Sequence, residues 1–315
     1  LLSKCNMNYF QEIIECKFSR ILQIFIWFRI ICIYNSIVEQ LSDAKLALIG
    51  YDFLFPPFMS VALSINGIKT IAVQDRLLSP LWKWHKLIVD YYFVYGDTIN
   101  KLIESKPSWC CVEKTIILGV LKKDAIVAEM KNISENKYTD IKNNYFILLA
   151  LDYKPALTEN DDKEIYTSTW ANISKFYKDM IRLAVKFPNL FIIIKEKEKH
   201  VENINEFINI LDIVEILPNI RFEDEIDIYT PAKMIAIADA AIAMYTSMAD
   251  EMLAVGKPVL IYDYFGIPSR YFDYENYPVI VNSYDELEYR VNKIVNEDYF
   301  MDSDLFNTMR NRLYG

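Results

Sequence analysis

The chain has 315 residues, which is enough for two domains of ordinary size. It carries 43 acidic and 34 basic residues, and the resulting net charge of −9 argues against a nucleic-acid-binding protein. Hydrophobic residues make up 53% of the chain, so we expect a large core rather than disorder, and the two histidines exclude a His-rich metal site.

The first predicted element is helical and almost entirely apolar. Residues 8–40 are expected to form one long helix or two, and the part from Ile21 to Tyr34 is apolar on nearly all sides. Arg29 interrupts this part, and no uncharged run reaches the roughly 18–20 residues that span a bilayer. We therefore expect a helix that is buried or lies on a membrane surface. The chain begins with Leu1 rather than Met, which leaves open a truncated N-terminal domain.

Strands and helices then alternate through the first half of the chain. Short apolar runs that end at Gly, Asp or Gln predict strands, while a Pro-Pro pair and a following Asn-Gly pair mark the start and the end of a helix. The predicted strands cover residues 46–49, 70–73, 91–95 and 115–118, and the predicted helices cover 57–65 and 98–105. This β-α-β alternation predicts a parallel sheet with right-handed crossovers.

The second half repeats the alternation after a polar segment, residues 130–144, that is poor in core residues. We place the domain boundary in this segment and expect an N-terminal domain of residues 1–143 and a C-terminal domain of residues 144–315. The expected fold class is α/β, with two Rossmann-like parallel-sheet domains facing a cleft. Predicted strands cover 146–151, 191–195, 240–244, 259–262 and 279–281, one or two more lie within 213–222, and predicted helices cover 163–186, 284–297 and 303–313.

Residues 233–263 carry the clearest pattern in the chain. A helix, a small apolar strand, the turn Tyr245-Thr246-Ser247, a second helix, Gly256 and another strand follow one another. A helix that starts at the carboxyl end of a buried strand directs unpaired N–H groups and the positive end of its dipole into the crevice above the sheet. Such a turn suits a phosphate group.

The same turn offers side chains to a ligand. Tyr245, Thr246 and Ser247 are candidate substrate-binding residues, and Glu251, one turn further on, could reach a ribose hydroxyl. The alternative is that the turn only caps the helix, since Ser247 followed three residues later by Asp250 fits a capping box.

This stretch resembles the C-terminal half of GT-B-fold glycosyltransferases, in particular those of bacterial capsule and lipopolysaccharide synthesis. There, too, a strand leads into a Ser/Thr pair, a helix with an acidic residue, and a Gly-Lys-Pro-Val turn, which here runs from Gly256 to Val259. The resemblance covers about residues 45–300. It implies that residues 144–315 bind a nucleotide-sugar donor and that residues 1–143 face a saccharide or lipid-linked acceptor. Non-hydrolysing sugar-nucleotide epimerases and glycerol-phosphate polymerases share the pattern.

One part of the family pattern is altered. In the resembling transferases the strand that corresponds to residues 191–194 often ends in Lys-x-His-Pro, with the His near the donor phosphate. Lys195 matches and is a candidate substrate-binding residue, but Lys197 and Glu198 stand where the His and the Pro would be. A lysine can still neutralise a phosphate as a point charge. The alternative is a solvated helix face of mixed charge.

Ligands of open α/β sheets bind outside the carboxyl ends of the strands, so the residues that follow the first-half strands are candidates for acceptor chemistry. Gln74, Asp75 and Arg76 form the most polar of these clusters. Asp75 could act as general base toward an acceptor hydroxyl, with Asp52 as a second candidate base, and Arg76 could hold an anionic acceptor. The alternative is an N-cap with a surface ion pair for residues 74–76, and turn capping for Asp52.

No Asp-x-Asp motif stands at a strand end, so we expect a metal-independent glycosyltransferase with no cofactor beyond its nucleotide-sugar substrate. The helix N-terminus and lysines would then stabilise the leaving group. A sugar-nucleotide 2-epimerase is the nearest alternative, although with two histidines the chain has few of the acid/base residues that such an enzyme would need. The other alternative is a catalytically degenerate binding or scaffold protein.

Five cysteines without a C-x-x-C pair favour the cytoplasm, with peripheral contact at the inner face of the membrane left open.

Overall fold

The computed structural model describes residues 19–41, 43–50, 55–75, 86–108, 110–133, 137–152, 170–196, 207–223, 230–244, 246–264, 277–297 and 300–315. The chain forms two compact units, one of residues 1–119 with 312–315 and the other of residues 120–311. Each unit contains a parallel sheet with helices, so the predicted α/β class with two parallel-sheet domains is confirmed. Three predicted site residues, Asp52, Arg76 and Tyr245, lie outside the described residues.

The first unit is built on a four-stranded sheet in which all neighbouring strands are parallel. Its strands are β1 (Leu46–Ile49), β2 (Lys69–Val73), β3 (Leu87–Val94) and β4 (Cys110–Ile117), in the spatial order β1-β2-β3-β4. Its described helices are α1 (Ser19–Val38), α2 (Pro57–Ile65) and α3 (Asp97–Glu104), with a short 3-10 helix at Glu39–Leu41. The predicted strands of this half and the predicted helices over 57–65 and 98–105 are present, but β3 and β4 begin earlier than predicted. Residues 8–18 and 163–169, the starts of two other predicted helices, lie outside the described residues.

The ends of α2 follow from its sequence. Pro57 is its first residue, where an N–H group would have no partner within the helix. Gly67 has φ = 71°. Its N–H donates to Ser64 O at 3.1 Å, and the Ile68 N–H donates to Leu63 O at 2.9 Å. This pair of bonds is a Schellman motif, which ends the helix at the predicted stop.

Strand β3 begins earlier than its apolar pattern predicts because it pairs with β4 from Leu87 onward, and a buried carboxylate lies at the end of the added residues. Ladder pairing between β2 and β3 starts at Ile71 and Tyr91. Just before it, the Asp90 Oδ2 atom accepts hydrogen bonds of 2.9 Å from both the backbone N–H and the hydroxyl of Thr70, while Lys69 Nζ lies 2.7 Å from Oδ1. Burial alone would raise the pKa of Asp90, but these hydrogen bonds lower it below its ordinary value. An acidic residue therefore lies inside the strand, where the sequence pattern indicates its boundary.

Helix α1 is largely exposed, so the expectation of a buried helix is wrong. Phe25 and Phe28 are 67% and 65% exposed, and only 6% of the window 22–41 is buried. This window is long and apolar enough to cross a membrane by length and composition. Trp27 contacts Phe58 of α2, with ring centroids 6.1 Å apart, so one narrow side of the helix is packed. The membrane-surface expectation stays a prediction.

The second unit is built on a six-stranded parallel sheet. Its strands are β5 (Phe146–Leu151), β6 (Leu190–Lys195), β7 (Ile220–Phe222), β8 (Ala240–Ala243), β9 (Val259–Tyr262) and β10 (Ile280–Val281), in the spatial order β10-β9-β8-β5-β6-β7. Its helices are α4 (Lys123–Lys131), α5 (Thr139–Lys142), α6 (Trp170–Lys186), α7 (Ile208–Ile216), α8 (Thr230–Ile237), α9 (Ser247–Ala254), α10 (Tyr284–Asn296) and most of α11 (Ser303–Tyr314). The segment predicted to hold one or two strands contains β7 and the end of α7.

The units meet in sequence at residues 119 and 120, which differs from the predicted boundary at 143 and 144. The polar segment belongs to the second unit because its side chains bond there. Lys137 Nζ lies 2.7 Å from Glu223 Oε1, and Tyr138 is 2% exposed with its hydroxyl donating to Glu223 Oε2 at 3.1 Å. Lys142 forms an ion pair with Asp239. Polar composition is typical of a linker, but Lys137 and Lys142 of this segment have acidic partners elsewhere in the second unit.

The four inner strands of the second sheet, β9, β8, β5 and β6, are apolar and almost entirely buried, as parallel strands covered on both faces require. One core cluster joins residues of β5, β6, β8 and β9 with residues of α6, α7 and α10. This packing fixes where the carboxyl end of each strand emerges, and with it the position of the turn that follows.

Helix α11 ends in the first unit, and a glycine makes room for it. A Cβ atom on Gly96 would lie 2.6 Å from Arg312 O and 2.7 Å from the carbonyl carbon of Leu313. Both contacts are to backbone, which cannot move aside cheaply. Gly96 therefore permits the last turn of α11 to approach the start of α3.

Candidate functional site

The topology of the second sheet predicts where a ligand crevice lies. Strand β5 lies between β6 and β8. The chain continues from β5 to β6 on one side, whereas from β8 it continues to β9 on the other side, away from β5. In open α/β sheets such a reversal opens a crevice at the carboxyl ends of the two strands. The Met244 N–H donates to Leu151 O at 3.0 Å, which ties these two strand ends together. Asp152 follows β5, and Thr246 follows β8.

Helix α9 begins at this crevice. Thr246 is its N-cap, with an extended backbone (φ −149°, ψ 145°), and its hydroxyl accepts from the Met248 N–H at 3.4 Å. Ser247 is the first helical residue, whereas the predicted capping box with Asp250 requires Ser247 to be the N-cap. The helix therefore starts one residue earlier than that capping box implies. The capping interpretation holds for Thr246, although the bond is long. Thr246 and Ser247 are both half-buried at the end of the helix that carries the positive pole of its dipole.

The other end of α9 is as the sequence predicts. Gly256 has φ = 84°, its N–H donates to Leu253 O at 3.0 Å, and the Lys257 N–H donates to Met252 O at 3.0 Å. These bonds again form a Schellman motif. With its C-terminal end fixed in this way and its residues from 249 to 254 buried, α9 presents a rigid N-terminus to the crevice.

Glu251 lies one turn into α9 and is buried. Glu251 is 2% exposed, and its Oε1 atom accepts a hydrogen bond from Lys122 Nζ at 2.9 Å. Because residues four apart share a helix face, Ser247 and Glu251 project on the same side. The structure therefore places a hydroxyl, a carboxylate and an ammonium group along one side of the first turns of α9.

Asp152 provides a second buried carboxylate at the crevice. It is 2% exposed and accepts a 2.7 Å hydrogen bond from the hydroxyl of Tyr177, which lies on α6. Burial, and then the neighbouring Asp152 charge, raises the pKa of Tyr177 far above its ordinary value. Tyr177 therefore stays a proton donor to Asp152 at any physiological pH.

Lys195 is the last residue of β6 and is partly exposed. Its Nζ donates to the carbonyl oxygen of its neighbour Glu196 at 2.7 Å. The ammonium group therefore lies at the carboxyl end of the sheet, where a phosphate ligand is expected. Its part in substrate binding stays a prediction, and Lys197 and Glu198 lie outside the described residues.

In the first unit, Gln74 and Asp75 follow β2 as predicted, and they make structural contacts. Gln74 is 2% exposed, and its Oε1 accepts from the Tyr95 N–H at 2.7 Å, so its side chain joins the ends of β2 and β3. The Tyr95 hydroxyl donates to the backbone oxygen of Asp75 at 2.6 Å. Asp75 itself is partly exposed. Gln74 therefore has a structural contact, and its part in substrate binding, like the part of Asp75 in catalysis, stays a prediction.

Sequence reasoning missed Lys122 and Tyr177. Lys122 is separated from Glu251 by 129 residues, and it precedes a helix in a stretch of mixed charge that carries no motif. Tyr177 lies among the apolar residues of α6, a pattern typical of a core residue. In the part of the chain that the structure describes, no group of three or more His, Cys, Asp and Glu side chains could hold a metal ion, and metal independence stays a prediction.

Comparison with known proteins supports the fold. No protein-family model matches the chain, and no curated protein matches it in sequence. The UDP-GlcNAc 2-epimerase from Neisseria meningitidis, solved with UDP-GlcNAc, is 15% identical with a TM-score of 0.59, over 92% of this chain and 77% of that one. MnaA from S. aureus, solved with UDP, is 13% identical with a TM-score of 0.60, over 92% and 76%.

A third structure, the UDP-GlcNAc 2-epimerase from Methanocaldococcus jannaschii, is 13% identical with a TM-score of 0.55, over 94% of this chain and 82% of that one. Identities this low show the shared fold alone. With two α/β units, each on a parallel sheet, the chain has a GT-B-like fold.

Proposed function

We propose that the second unit binds a nucleotide sugar at the N-terminus of α9. The observation that carries the proposal is the position of this N-terminus, at the reversal point between β5 and β8. Backbone N–H groups and the helix dipole favour an anion there, and a diphosphate is the anion that a sugar nucleotide supplies. Thr246 and Ser247 add hydroxyl donors, and Glu251 on the same helix side accepts from the ribose hydroxyls.

Uracil is the expected base. The three matched structures above are of UDP-GlcNAc 2-epimerases or were solved with UDP. Their likeness is one of fold, so the nucleotide is a proposal for this chain. Tyr245 and Lys195 complete the proposed donor site, Tyr245 as the residue before Thr246 in sequence and Lys195 as a cation at the end of strand β6, which neighbours β5.

The reaction we propose is metal-independent transfer of the sugar to a saccharide or lipid-linked acceptor of a bacterial surface polysaccharide. The acceptor oxygen forms a bond to the anomeric carbon, a carboxylate takes the hydroxyl proton, and the bond to the diphosphate oxygen breaks. The diphosphate leaves with the bonding electrons and is stabilised by the N-terminus of α9 and by lysines. Asp75 or Asp52 would act as the base, and Arg76 would hold an acidic acceptor.

A sugar-nucleotide 2-epimerase is the second candidate, and the comparisons favour it because epimerases are prominent among the matched structures. The sequence favours the transferase, because only two histidines are present for acid/base work at C2. A degenerate GT-B-like protein that binds without catalysis would share the nucleotide site.

Contact with the inner face of the membrane belongs to the transferase proposal, since a lipid-linked acceptor is found there. Helix α1 offers the apolar surface, because Phe25 and Phe28 are exposed and Arg29 is the only charged residue in the sequence from 22 to 38. Flotation with vesicles that contain anionic lipid should carry the protein upward, and Phe25→Ser with Phe28→Ser should abolish this. Retained flotation in the double variant would remove α1 from the contact.

The reaction can be tested with UDP-GlcNAc and related UDP sugars, followed by NMR of the products. Release of UDP that depends on an added acceptor, with a new glycosidic linkage, supports the transferase. Inversion at C2 of the intact nucleotide sugar identifies the epimerase. Binding without either product identifies the binding protein, and a complete lack of nucleotide binding refutes the proposed function.

A further inference from the structure

The ion pair between Lys122 and Glu251 joins a buried group to an exposed one. The Glu251 side chain is 3% exposed and the Lys122 side chain 57%, with 2.9 Å between Nζ and Oε1. A buried carboxylate is costly unless a cation or hydrogen-bond donors compensate its charge. Lys122, whose side chain is largely exposed, supplies such a cation.

The backbone that carries Lys122 is held firmly, although its side chain reaches into solvent. Val120 is 5% exposed and Ile126 is fully buried, so apolar anchors lie on both sides of it. The Lys123 N–H donates to Val120 O at 3.0 Å, and the Ile126 N–H donates to Lys122 O at 3.1 Å. Because the backbone at Lys122 is fixed, its long side chain can hold the Glu251 carboxylate in one orientation.

We propose that Lys122 is a positioning residue of the nucleotide site, which holds the Glu251 carboxylate in place so that it accepts from the ribose 2′- and 3′-hydroxyls. This inference rests on the proposed function and adds to it a residue that acts through Glu251. The Glu251 carboxylate is 2.9 Å from the Lys122 ammonium group, and hydrogen bonds to a charged carboxylate are stronger than those between neutral groups. Lys122 also restricts the carboxylate to one orientation before the ligand arrives, which reduces the cost of binding.

Lys122 could instead neutralise the diphosphate directly. Its contribution to affinity would then depend on a different part of the ligand. A phosphate contact acts on any nucleotide diphosphate, whether or not its ribose carries hydroxyls. An action through Glu251 requires those hydroxyls. The pair UDP and 2′,3′-dideoxy-UDP therefore separates the two roles, because these ligands share the base and the diphosphate.

The experiment measures the affinity of the full-length protein for both ligands by calorimetry, in the wild type and in Lys122→Met. We expect Lys122→Met to weaken UDP binding about tenfold and to change 2′,3′-dideoxy-UDP binding less than about twofold. Lys122→Arg, which keeps the charge, should restore most of the UDP affinity. Lys123→Met removes the same charge at the next position, and it should leave both affinities unchanged.

Several results would overturn the proposal. Equal weakening of both ligands would make Lys122 a phosphate contact, and unchanged affinity for both would make the ion pair structural only. A wild type that binds no UDP would refute the proposed function itself, which is distinct from a wild type that binds UDP and tolerates Lys122→Met. Should Lys122→Met fail to fold, Lys122→Gln gives the same comparison with a side chain of intermediate polarity.

Discussion

Asp90 and Thr70 exchange three hydrogen bonds at the start of the β2–β3 ladder. Asp90 Oδ2 accepts from the Thr70 N–H and hydroxyl, and the Asp90 N–H donates to the Thr70 hydroxyl, each at 2.9 Å. The side chains thus satisfy backbone groups that the ladder leaves unpaired at this position. The carboxylate is 1% exposed, so the bonds form out of contact with water.

We expect Asp90→Ala to lower the free energy of unfolding by about 2–4 kcal/mol, because it leaves the Thr70 N–H buried without its acceptor. Urea denaturation measures this, and Asp124→Ala, which removes an exposed carboxylate on α4, is the control. Since the pKa of Asp90 is lowered in the fold, its contribution is present at neutral pH and is lost as the pH falls below about 4. A variant as stable as wild type at pH 7 would contradict this account of the ladder.

Gly96 provides a second prediction. A Cβ atom at this position would lie 2.6–2.8 Å from backbone atoms of Arg312 and Leu313. We expect Gly96→Ala to cost about 1–3 kcal/mol and to expose the end of α11 to proteolysis. Gly50→Ala is the matched control, because a Cβ there meets nothing within 4 Å. Equal stability of the two variants would show that α11 does not depend on Gly96.

Lys257 should make the stability of the fold depend on pH in the alkaline range. Its Nζ donates to Ala236 O at 2.7 Å and Ala238 O at 2.5 Å, at the end of α8. Burial, together with the Lys142 charge, lowers its pKa from 10.5 to about 8. Between these values the unfolded chain binds the proton more strongly, so stability should rise from pH 8 toward pH 10.

Thermal unfolding from about pH 7 to about pH 10 tests this prediction. Lys257→Met should remove the rise, and the difference between the two proteins isolates the contribution of this residue. Above about pH 10 tyrosines act in the opposite direction, because burial raises the pKa of Tyr262 and they lose protons more readily when unfolded. Parallel curves for wild type and variant would contradict the assignment to Lys257.

Lys195 is predicted to contribute to donor binding. Because a cation at the end of β6 would attract the diphosphate, we expect Lys195→Met to weaken UDP binding several-fold, and more so at low salt. Lys178→Met, which removes an exposed charge on α6, is the control. If the two variants bind UDP equally well, Lys195 does not belong to the site.

Local signals are sufficient to predict most elements. Pro57, Gly67 and Gly256 act within a few residues of themselves, and apolar runs such as 146–151 allow few structures other than a buried strand. Prediction of strand bounds and domain limits fails where a partner that is distant in sequence determines the structure. Asp90 is compatible with a strand because Thr70 and Lys69 meet it, and residues 120–143 belong to the second unit because of Glu223 and Asp239.

The candidate site shows the same division. The turn at Thr246 and Ser247 is visible in sequence, because strand, hydroxyl pair and helix follow one another within a short stretch. The partner of Glu251 is not visible, because Lys122 is 129 residues away in a stretch without a motif. Gln74 is predicted from its place after a strand, but the hydrogen bond that its amide oxygen accepts from the backbone of Tyr95 is not visible in sequence.

The central claim is that the N-terminus of α9 binds a nucleotide diphosphate rather than merely beginning a helix. Ser283 caps α10 in the same unit, accepting from the Glu286 N–H at 3.3 Å, and it is the matched control for Thr246. Loss of either cap should cost about 1 kcal/mol of stability.

The decisive measurement is UDP affinity and melting temperature on the same three proteins, Thr246→Ala, Ser247→Ala and Ser283→Ala. We expect the first two to bind UDP about ten- to a hundredfold more weakly than wild type, whereas Ser283→Ala should melt lower and bind UDP normally. If Thr246→Ala and Ser247→Ala also bind UDP normally, the turn is a helix cap only and the account of the site is wrong.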